Sequence, residues 1–348
     1  MNRKVDVSLS FFGKPYQTIV TLHSLFQHSR QHIDKVYLSI ERQQPHEDWD
    51  GIYKVVDFFR EKNIRFKLFQ PRYFLNPNVN DYERTRSDKE YRQSIMFQHS
   101  LEDSDKKYVC VLHNDLLFHG DMIGAMLEKL KQSPEELAGI GSIGQCWSCP
   151  ASWAKVCTPS TFEQYKPSPN AAIELHEAFD TPRQERDIDV IKAGRVHPLP
   201  ECRLNEYCCL INVPLYRQNT LPAGDIGCYG GGWDGVDLGT VWSHDMYNRG
   251  YRFQHVPLED YVRHAPFDDS GSGTLSYTRN EQYWKAEANA RAYIEKYLGK
   301  VELSPSSQVR VSVNRLKRRL KPMILQALGV IKPASKPKPA VKVPELKE

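Results

Sequence analysis

The first seventy residues alternate between short β-type runs and helix-periodic stretches, and this alternation constrains the fold more than any other feature. The β-type runs cover residues 5–12, 35–40 and 64–69. Between them, residues 17–29 and 49–62 carry apolar side chains at helical spacing. Such strand–helix–strand alternation implies parallel strands joined by right-handed crossovers. The sequence therefore predicts an α/β fold.

The pattern continues to about residue 268. The further predicted strands are 107–112, 137–143, 207–213 and 251–256, and the further predicted helices are 91–101, 121–130 and the segment from Gly230 to Asn248. A long Cys- and Pro-rich stretch, 144–205, shows no obvious secondary structure and is interpreted as an insertion. We predict a mixed, mainly parallel central sheet flanked by helices.

The charge is unevenly distributed. The net charge is +4, but the segment from Val309 onward holds 11 Lys/Arg against 2 Asp/Glu, so the rest of the chain is net acidic. This argues against a nucleic-acid-binding core and for a basic tail. We predict a domain over 1–300, a basic amphipathic helix over 301–331 interrupted by Pro322, and a disordered Pro/Lys-rich tail over 332–348.

The N-terminus shows no signal-peptide pattern, and no window is apolar enough to span a bilayer. The expected location is cytoplasmic. The basic helix either lies on the anionic cytoplasmic face of the inner membrane or docks as an ordinary terminal helix.

Polar residues follow the buried strand 107–112 directly, as His113-Asn114-Asp115. Ligands of open α/β sheets bind just beyond the carboxyl ends of the strands. A short acidic motif at that place can hold a divalent cation and, through it, a diphosphate. The alternative is an aspartate that only caps the following turn.

A second acidic motif, Trp233-Asp234-Gly235-Val236-Asp237, follows a run of glycines. Asp234 and Asp237 are three residues apart, so on a helix they would share one face. A helix N-terminus keeps a carboxylate ionised, as a general base requires. The alternative is a helix N-cap with a first-turn aspartate and no catalytic role.

The order of these features, closed by Gly250-Tyr251-Arg252, a strand and His264, resembles the inverting GT-A glycosyltransferases, in particular glycosyltransferase family 2, over residues 5–268. The resemblance implies a nucleotide-sugar donor, Mn²⁺ or Mg²⁺ held by Asp115 and His264, and a catalytic base at Asp234 or Asp237, of which we favour Asp234. The chain departs from the family's pattern in keeping a single carboxylate in the first motif. It also has Gly235 where many relatives have the base.

The same resemblance implies a set of donor contacts. They are Phe11, Phe12, Glu41, Arg92, Gln93, Asn114, Asp115 and Arg263. The Gly/Ser-rich segment 267–278 is a candidate lid over the donor.

Four of the eight cysteines lie in or beside the insertion, at Cys146, Cys149, Cys157 and Cys202. Disulfides are not expected in a cytoplasmic chain. One hypothesis is a structural Zn²⁺ that orders the insertion, since a CxxC pair supplies two ligands from one turn. The alternatives are scattered buried cysteines or a redox-active CxxC. The aromatic residues of the insertion either stack on acceptor sugars or pack within it.

The leading functional hypothesis is a glycosyltransferase that acts on a glycan or lipid-linked acceptor in surface polysaccharide or lipopolysaccharide biosynthesis. The alternatives are a nucleotidyltransferase and a nucleotide-sugar-binding or scaffold protein with a decayed site. Gly13-Lys14-Pro15 is too slight for the Gly-rich, basic phosphate loop that a nucleotidyltransferase normally has after its first strand.

Overall fold

The computed structural model describes residues 4–75, 81–232, 236–269 and 277–327. The chain forms two compact units, Met1–Val301 and Glu302–Glu348. Within the described residues, no helix has the length and apolar character needed to cross a membrane.

Nine strands are present in the described residues of the first unit. In chain order they are β1 (Val5–Phe11), β2 (Ile33–Ile40), β3 (Phe66–Phe69), β4 (Tyr108–Leu112), β5 (Leu116–Phe118), β6 (Gly139–Ile143), β7 (Leu204–Asn212), β8 (Phe253–His255) and β9 (Val262–His264). Seven of them form one sheet in the order β3-β2-β1-β4-β7-β6-β8, and β5 pairs with β9 in a separate two-stranded sheet.

Within the large sheet, β7 runs antiparallel to both of its neighbours, and the other four pairings are parallel. The predicted α/β class, with a mixed and mainly parallel sheet, is therefore confirmed. Because β7 is reversed, its first residues lie at the edge where β4 ends: Leu112 pairs with Cys208.

Thirteen helices are present in the described residues; twelve belong to the first unit and flank its sheet, and the last one belongs to the second unit. In chain order they are α1 (Pro15–Ser29), α2 (Gly51–Phe58), α3 (Tyr82–Ser87), α4 (Lys89–Gln93), α5 (Gln98–Asp103), α6 (Met122–Gln132), α7 (Pro150–Trp153), α8 (Pro169–Glu177), α9 (Gln184–Lys192), α10 (Val213–Asn219), α11 (Thr240–Asn248), α12 (Asn280–Tyr297) and α13 (Pro305–Ala327). Two 3-10 turns, Arg30–His32 and Pro45–Glu47, flank β2.

Strand β4 is buried along its whole length. Its residues alternate between two apolar clusters, with Cys110 and Leu112 in one and Val109 and Val111 in the other. A strand covered on both faces needs apolar side chains at every position, which is why its sequence is a continuous apolar run.

Several predicted boundaries differ from the structure. The predicted helix 91–101 is two helices, α4 and α5, because Phe97 takes a left-handed conformation with φ 66°. The helix predicted to start at Gly230 begins only at Thr240, after Gly239 at φ 78°. The insertion 144–205 does contain helices, α7 to α9. They are short, two of them begin at a proline, and such short helices carry little periodicity.

The second unit contains the single described helix α13, which continues past Pro322 to Ala327. Six large apolar side chains on it are exposed: Val309, Val313, Leu316, Leu320, Met323 and Ile324. Residues 328–348, which include most of the predicted tail, lie outside the described residues.

Candidate active site

Three potential metal ligands meet beyond the end of β4. His113 follows β4 directly, Asp115 precedes β5, and His264 is the last residue of β9. The β5–β9 pairing sets Leu116 opposite His264, and the Ala265 amide donates to the Asp115 carbonyl at 2.8 Å. One ligand atom from each of the three side chains lies within 4.8 Å of the others. We call these three residues the strand-end cluster.

The Asp115 carboxylate is buried, with its two oxygens in different surroundings. Oδ2 accepts a hydrogen bond from Lys14 Nζ at 2.8 Å. Oδ1 has no hydrogen-bond partner, although His264 Nε2 lies 3.5 Å away and His113 Nδ1 lies 3.9 Å away. A buried carboxylate oxygen without a hydrogen bond is unfavourable unless a cation approaches it, so the cluster fits a divalent metal ion.

The electrostatics keep these groups in metal-binding protonation states. Burial opposes ionisation of Asp115, but Lys14 and His264 hold its pKa well below the usual value. Burial lowers the pKa of His113, so its imidazole is neutral and offers a lone pair near pH 7.

Lys14 also belongs to this site, although the family resemblance assigned it no role there. Its side chain is fully buried, and Nζ lies 3.9 Å from the centre of the Tyr277 ring. Lys14 and Gly13 both have positive φ, and a Cβ on Gly13 would lie 2.5 Å from Pro45 Cγ. The sequence feature that could have indicated this role is a lysine between a glycine and a proline, just after the first strand.

A cavity of about 270 Å³ opens beside Asp115, and we call it the smaller cavity. Phe12 and Phe74 stack in its wall with ring centres 5.6 Å apart. Glu41 also lines it, and Ser10 Oγ donates to Glu41 at 3.1 Å. Burial raises the pKa of Glu41 to about 7. The wall thus combines flat apolar faces with the carboxyl groups of Glu41 and Asp115.

A cavity of about 670 Å³, the larger cavity, borders the insertion. Trp147 of the insertion lines it, with an exposed fraction of 61%. Glu206 lines it as well, and Glu206 Oε1 lies 3.8 Å from His113 Nε2. His113 and His264 line both cavities, so the two cavities meet at the strand-end cluster.

Asp237 lines the larger cavity and is held by two arginines. Arg203 Nη2 donates to Asp237 Oδ2 at 2.9 Å, and Arg183 donates to the same oxygen. Burial opposes ionisation of Asp237, but Arg203 and Arg183 lower its pKa, so it is a carboxylate. Asp237 precedes α11, so the shared helical face expected for Asp234 and Asp237 is not formed by this helix. Asp234 lies outside the described residues.

The predicted donor residues separate into two groups. Phe12, Glu41, Asn114 and Asp115 line the smaller cavity. Phe11 is in the hydrophobic core, and Arg263 is on β9 at a different surface depression.

Arg92 and Gln93 are engaged elsewhere and do not line the smaller cavity. Both donate to the Glu102 carboxylate, Arg92 Nε at 2.5 Å and Gln93 Nε2 at 3.0 Å. Most of the predicted lid, residues 270–276, is outside the described residues.

The four cysteines of the zinc hypothesis all line one very small cavity of about 10 Å³. All are free thiols. Among the described residues, the groups whose metal-ligating atoms lie within 4.8 Å of one another contain no cysteine. Zinc binding by these four thiols stays a prediction.

No protein-family model matches the sequence, and no curated protein matches it. Solved structures do resemble the fold. A mannosyltransferase from Pyrobaculum calidifontis, in complex with GDP-Man and Mn²⁺, has a TM-score of 0.44 and 11% identity over 96% of this chain and 82% of its own. The bifunctional glycosyltransferase WbbM has a TM-score of 0.40 and 12% identity over 74% of this chain, which spans 40% of WbbM.

A third match is a glucosyl-3-phosphoglycerate synthase from Mycobacterium tuberculosis, in complex with Mn²⁺, UDP and phosphoglyceric acid. Its TM-score is 0.38, with 11% identity over 74% of this chain and 73% of its own. At these TM-scores the likenesses carry no argument about function, which rests on the chain's own residues.

Proposed function

We propose that this chain is a glycosyltransferase that moves one sugar from a nucleotide-sugar donor to an acceptor hydroxyl, with inversion at the transferred carbon. The observation that carries the proposal is the meeting of two cavities at His113 and His264, beside the Asp115 carboxylate. A group transfer between two substrates needs two adjoining sites with charged groups at their junction.

The smaller cavity suits the nucleotide. Phe12 and Phe74 offer flat apolar faces on which a base can stack. The Glu41 carboxylate accepts hydrogen bonds and suits the ribose hydroxyls. Asp115 lines the same cavity and suits, through a bound cation, the diphosphate.

The strand-end cluster would hold Mn²⁺ or Mg²⁺, through Asp115, His264 and His113. Two imidazole ligands beside one carboxylate favour Mn²⁺, since Mg²⁺ prefers oxygen ligands. A bound ion would neutralise the charge that develops on the departing diphosphate. The buried Lys14 ammonium adds a positive charge at the same carboxylate.

The larger cavity suits the acceptor, with Trp147 as a stacking surface for a sugar ring. The acceptor oxygen forms the new bond to the anomeric carbon as the bond to the diphosphate breaks. Its proton passes to a carboxylate on the opposite side of the sugar. We assign that role to Asp234, because both arginines engage the same oxygen of Asp237.

A thermal-shift screen against UDP-, GDP-, dTDP- and CMP-sugars, with and without Mn²⁺, tests the donor assignment. We expect a shift with one nucleotide class that depends on the metal. Turnover is then measured for Asp234→Asn and Asp237→Asn with that donor. Asp234→Asn should bind the donor and lose transfer, and retained turnover would reject this base.

Two other outcomes would decide against the proposal. Donor binding by the wild-type chain without transfer or hydrolysis would favour a nucleotide-sugar-binding protein. Release of pyrophosphate from a nucleoside triphosphate and a sugar phosphate would favour a nucleotidyltransferase.

We further propose that the acceptor is a glycan or lipid-linked glycan of a surface polysaccharide or lipopolysaccharide, reached at the cytoplasmic face of the inner membrane. The support is α13, which combines exposed apolar side chains with basic residues. Co-sedimentation with phosphatidylglycerol vesicles should be strong at low salt and weak at high salt. Replacing Lys317, Arg318 and Arg319 by Gln should abolish it, and absence of vesicle binding by the wild-type chain would reject the membrane assignment.

A further inference from the structure

Three ionisable side chains are buried together inside the insertion, away from the strand-end cluster. They are His176 on α8, Asp187 on α9 and Glu201 just before β7, with exposed fractions of 0%, 4% and 4%. One ligand atom from each lies within 4.8 Å of the others. We call them the insertion triad. The proposed reaction uses none of them.

The ring orientation of His176 is fixed by hydrogen bonds. Nδ1 lies 2.7 Å from the Ala172 carbonyl oxygen, which can only accept, so Nδ1 carries a hydrogen. Nε2 lies 2.8 Å from Glu201 Oε1. In metal-ligating histidines one ring nitrogen commonly donates to a carbonyl and the other faces the ion. Here the second nitrogen faces Glu201, the neighbouring candidate ligand.

The carboxylates of the triad are incompletely satisfied. Asp187 Oδ2 and Glu201 Oε2 are buried, and neither has a hydrogen-bond partner in the structure. Two neighbouring buried carboxylates repel each other unless a cation lies between them. A divalent cation bound there would have its charge balanced by the two carboxylates, with the imidazole as a neutral ligand.

We propose that His176, Asp187 and Glu201 bind a structural divalent transition-metal ion, with zinc as the expected metal. An imidazole ligand favours zinc over Mg²⁺ or Ca²⁺, and zinc accepts carboxylate oxygens as well. The ion joins α8, α9 and the segment before β7, which carry one ligand each. This site uses no cysteine, in contrast to the site expected from the sequence.

The triad is connected to the wall of the larger cavity through Arg183 and Gln145, which line that cavity. Arg183, which holds Asp237, immediately precedes α9, the helix that carries Asp187. The Gln145 amide donates to the Glu201 carbonyl at 2.9 Å, and the Gln145 side chain accepts from Arg183 at 2.8 Å. An ion in the triad would therefore fix the wall of the larger cavity on which Arg183 and Gln145 stand.

The test is the metal content of the full chain, purified without a polyhistidine tag and without chelator. Elemental analysis should find about one zinc per chain that survives dialysis. X-ray absorption at the zinc edge should show mainly nitrogen and oxygen neighbours at about 2.0–2.2 Å, whereas sulfur neighbours would lie at about 2.3 Å. Strong chelators should lower the melting temperature, and added zinc should restore it.

Variants assign the ion to its site. Asp187→Asn and Glu201→Gln should lose it, whereas His264→Ala, in the strand-end cluster, and Cys149→Ser, among the thiols, should keep it. A folded wild-type chain without zinc would overturn the proposal. Four sulfur neighbours, or zinc lost from Cys149→Ser or His264→Ala but retained in Glu201→Gln, would also overturn it. The proposal does not depend on the glycosyltransferase assignment, because metal content is measured without any substrate.

Discussion

The buried ion pair between Lys14 and Asp115 gives the sharpest prediction. Their side chains are 0% and 5% exposed, and Asp115 Oδ1 already lacks a hydrogen bond. Lys14→Met keeps the length of the side chain and removes its charge, so the carboxylate is left buried without its cation. Breaking a buried pair in this way costs about 3–5 kcal/mol, so we expect the free energy of unfolding to fall by that amount.

Equilibrium denaturation in guanidinium chloride, with and without Mn²⁺, measures this effect. Mn²⁺ should stabilise Lys14→Met more than the wild type, because the ion replaces the missing charge at Asp115. The double variant with Asp115→Asn should be more stable than Lys14→Met alone, since no uncompensated charge remains.

The matched control is Lys131→Met, which breaks an exposed pair with Glu128 whose side chains are both 57% exposed. It should cost less than about 1 kcal/mol. A loss for Lys14→Met as small as that of the control, or an equal response of variant and wild type to Mn²⁺, would refute the reasoning.

Three further changes test the site. Burial raises the pKa of Glu41 from 4.5 to about 7, so Glu41 ionises more easily in the unfolded chain. The free energy of unfolding of the wild type should therefore decline as pH rises from about 4.5 through 7, by up to about 3 kcal/mol. Glu41→Gln should reduce that decline in denaturation curves recorded from pH 5 to 8, and an unchanged pH profile would contradict the assignment. His264→Ala should weaken Mn²⁺ binding at least about tenfold in calorimetry, an effect of about 1.4 kcal/mol, because one of three ligands is lost. Gly230→Ala would set a Cβ 2.2 Å from the Met96 carbonyl oxygen and should cost about 1–3 kcal/mol, whereas Gly232→Ala, whose nearest neighbour lies at 3.8 Å, should be nearly neutral.

Much of the sheet could be predicted because its strands are buried and apolar. Strand β1 was expected over 5–12 and covers Val5–Phe11, and β4 was expected over 107–112 and covers Tyr108–Leu112. Their place in the sheet follows from the alternation with amphipathic helices. The position of Asp115 at the end of β4 was also correctly expected from the general location of ligands in such sheets.

Arg203 and Glu206 were not predicted as site residues, because their positions depend on the direction of β7. The argument from parallel strands directs attention to strand ends, but an antiparallel strand presents its beginning at the same edge. Arg203 immediately precedes β7 and donates to Asp237. Glu206, near the start of β7, lines the larger cavity. Neither the direction of a strand nor the path of a loop such as Gly13–Lys14 follows from local sequence, since both depend on distant contacts.

The insertion was misjudged for a related reason. Its three helices are each nine residues or fewer, too short for a clear apolar period. The conspicuous CxxC drew attention to the thiols, although His176, Asp187 and Glu201 are far apart in the sequence and form no recognisable spacing. Their proximity results only from the packing of α8 against α9 and the segment before β7.

The pairing of β5 with β9 makes the strand-end cluster depend on residues that are far apart in the chain. Asp115 is made early and His264 late, and only three paired positions hold their strands together. A chain still emerging from the ribosome, or one shortened before residue 262, lacks the ligand that completes the cluster. The complete set of three potential ligands would thus form only in a chain that contains both strands.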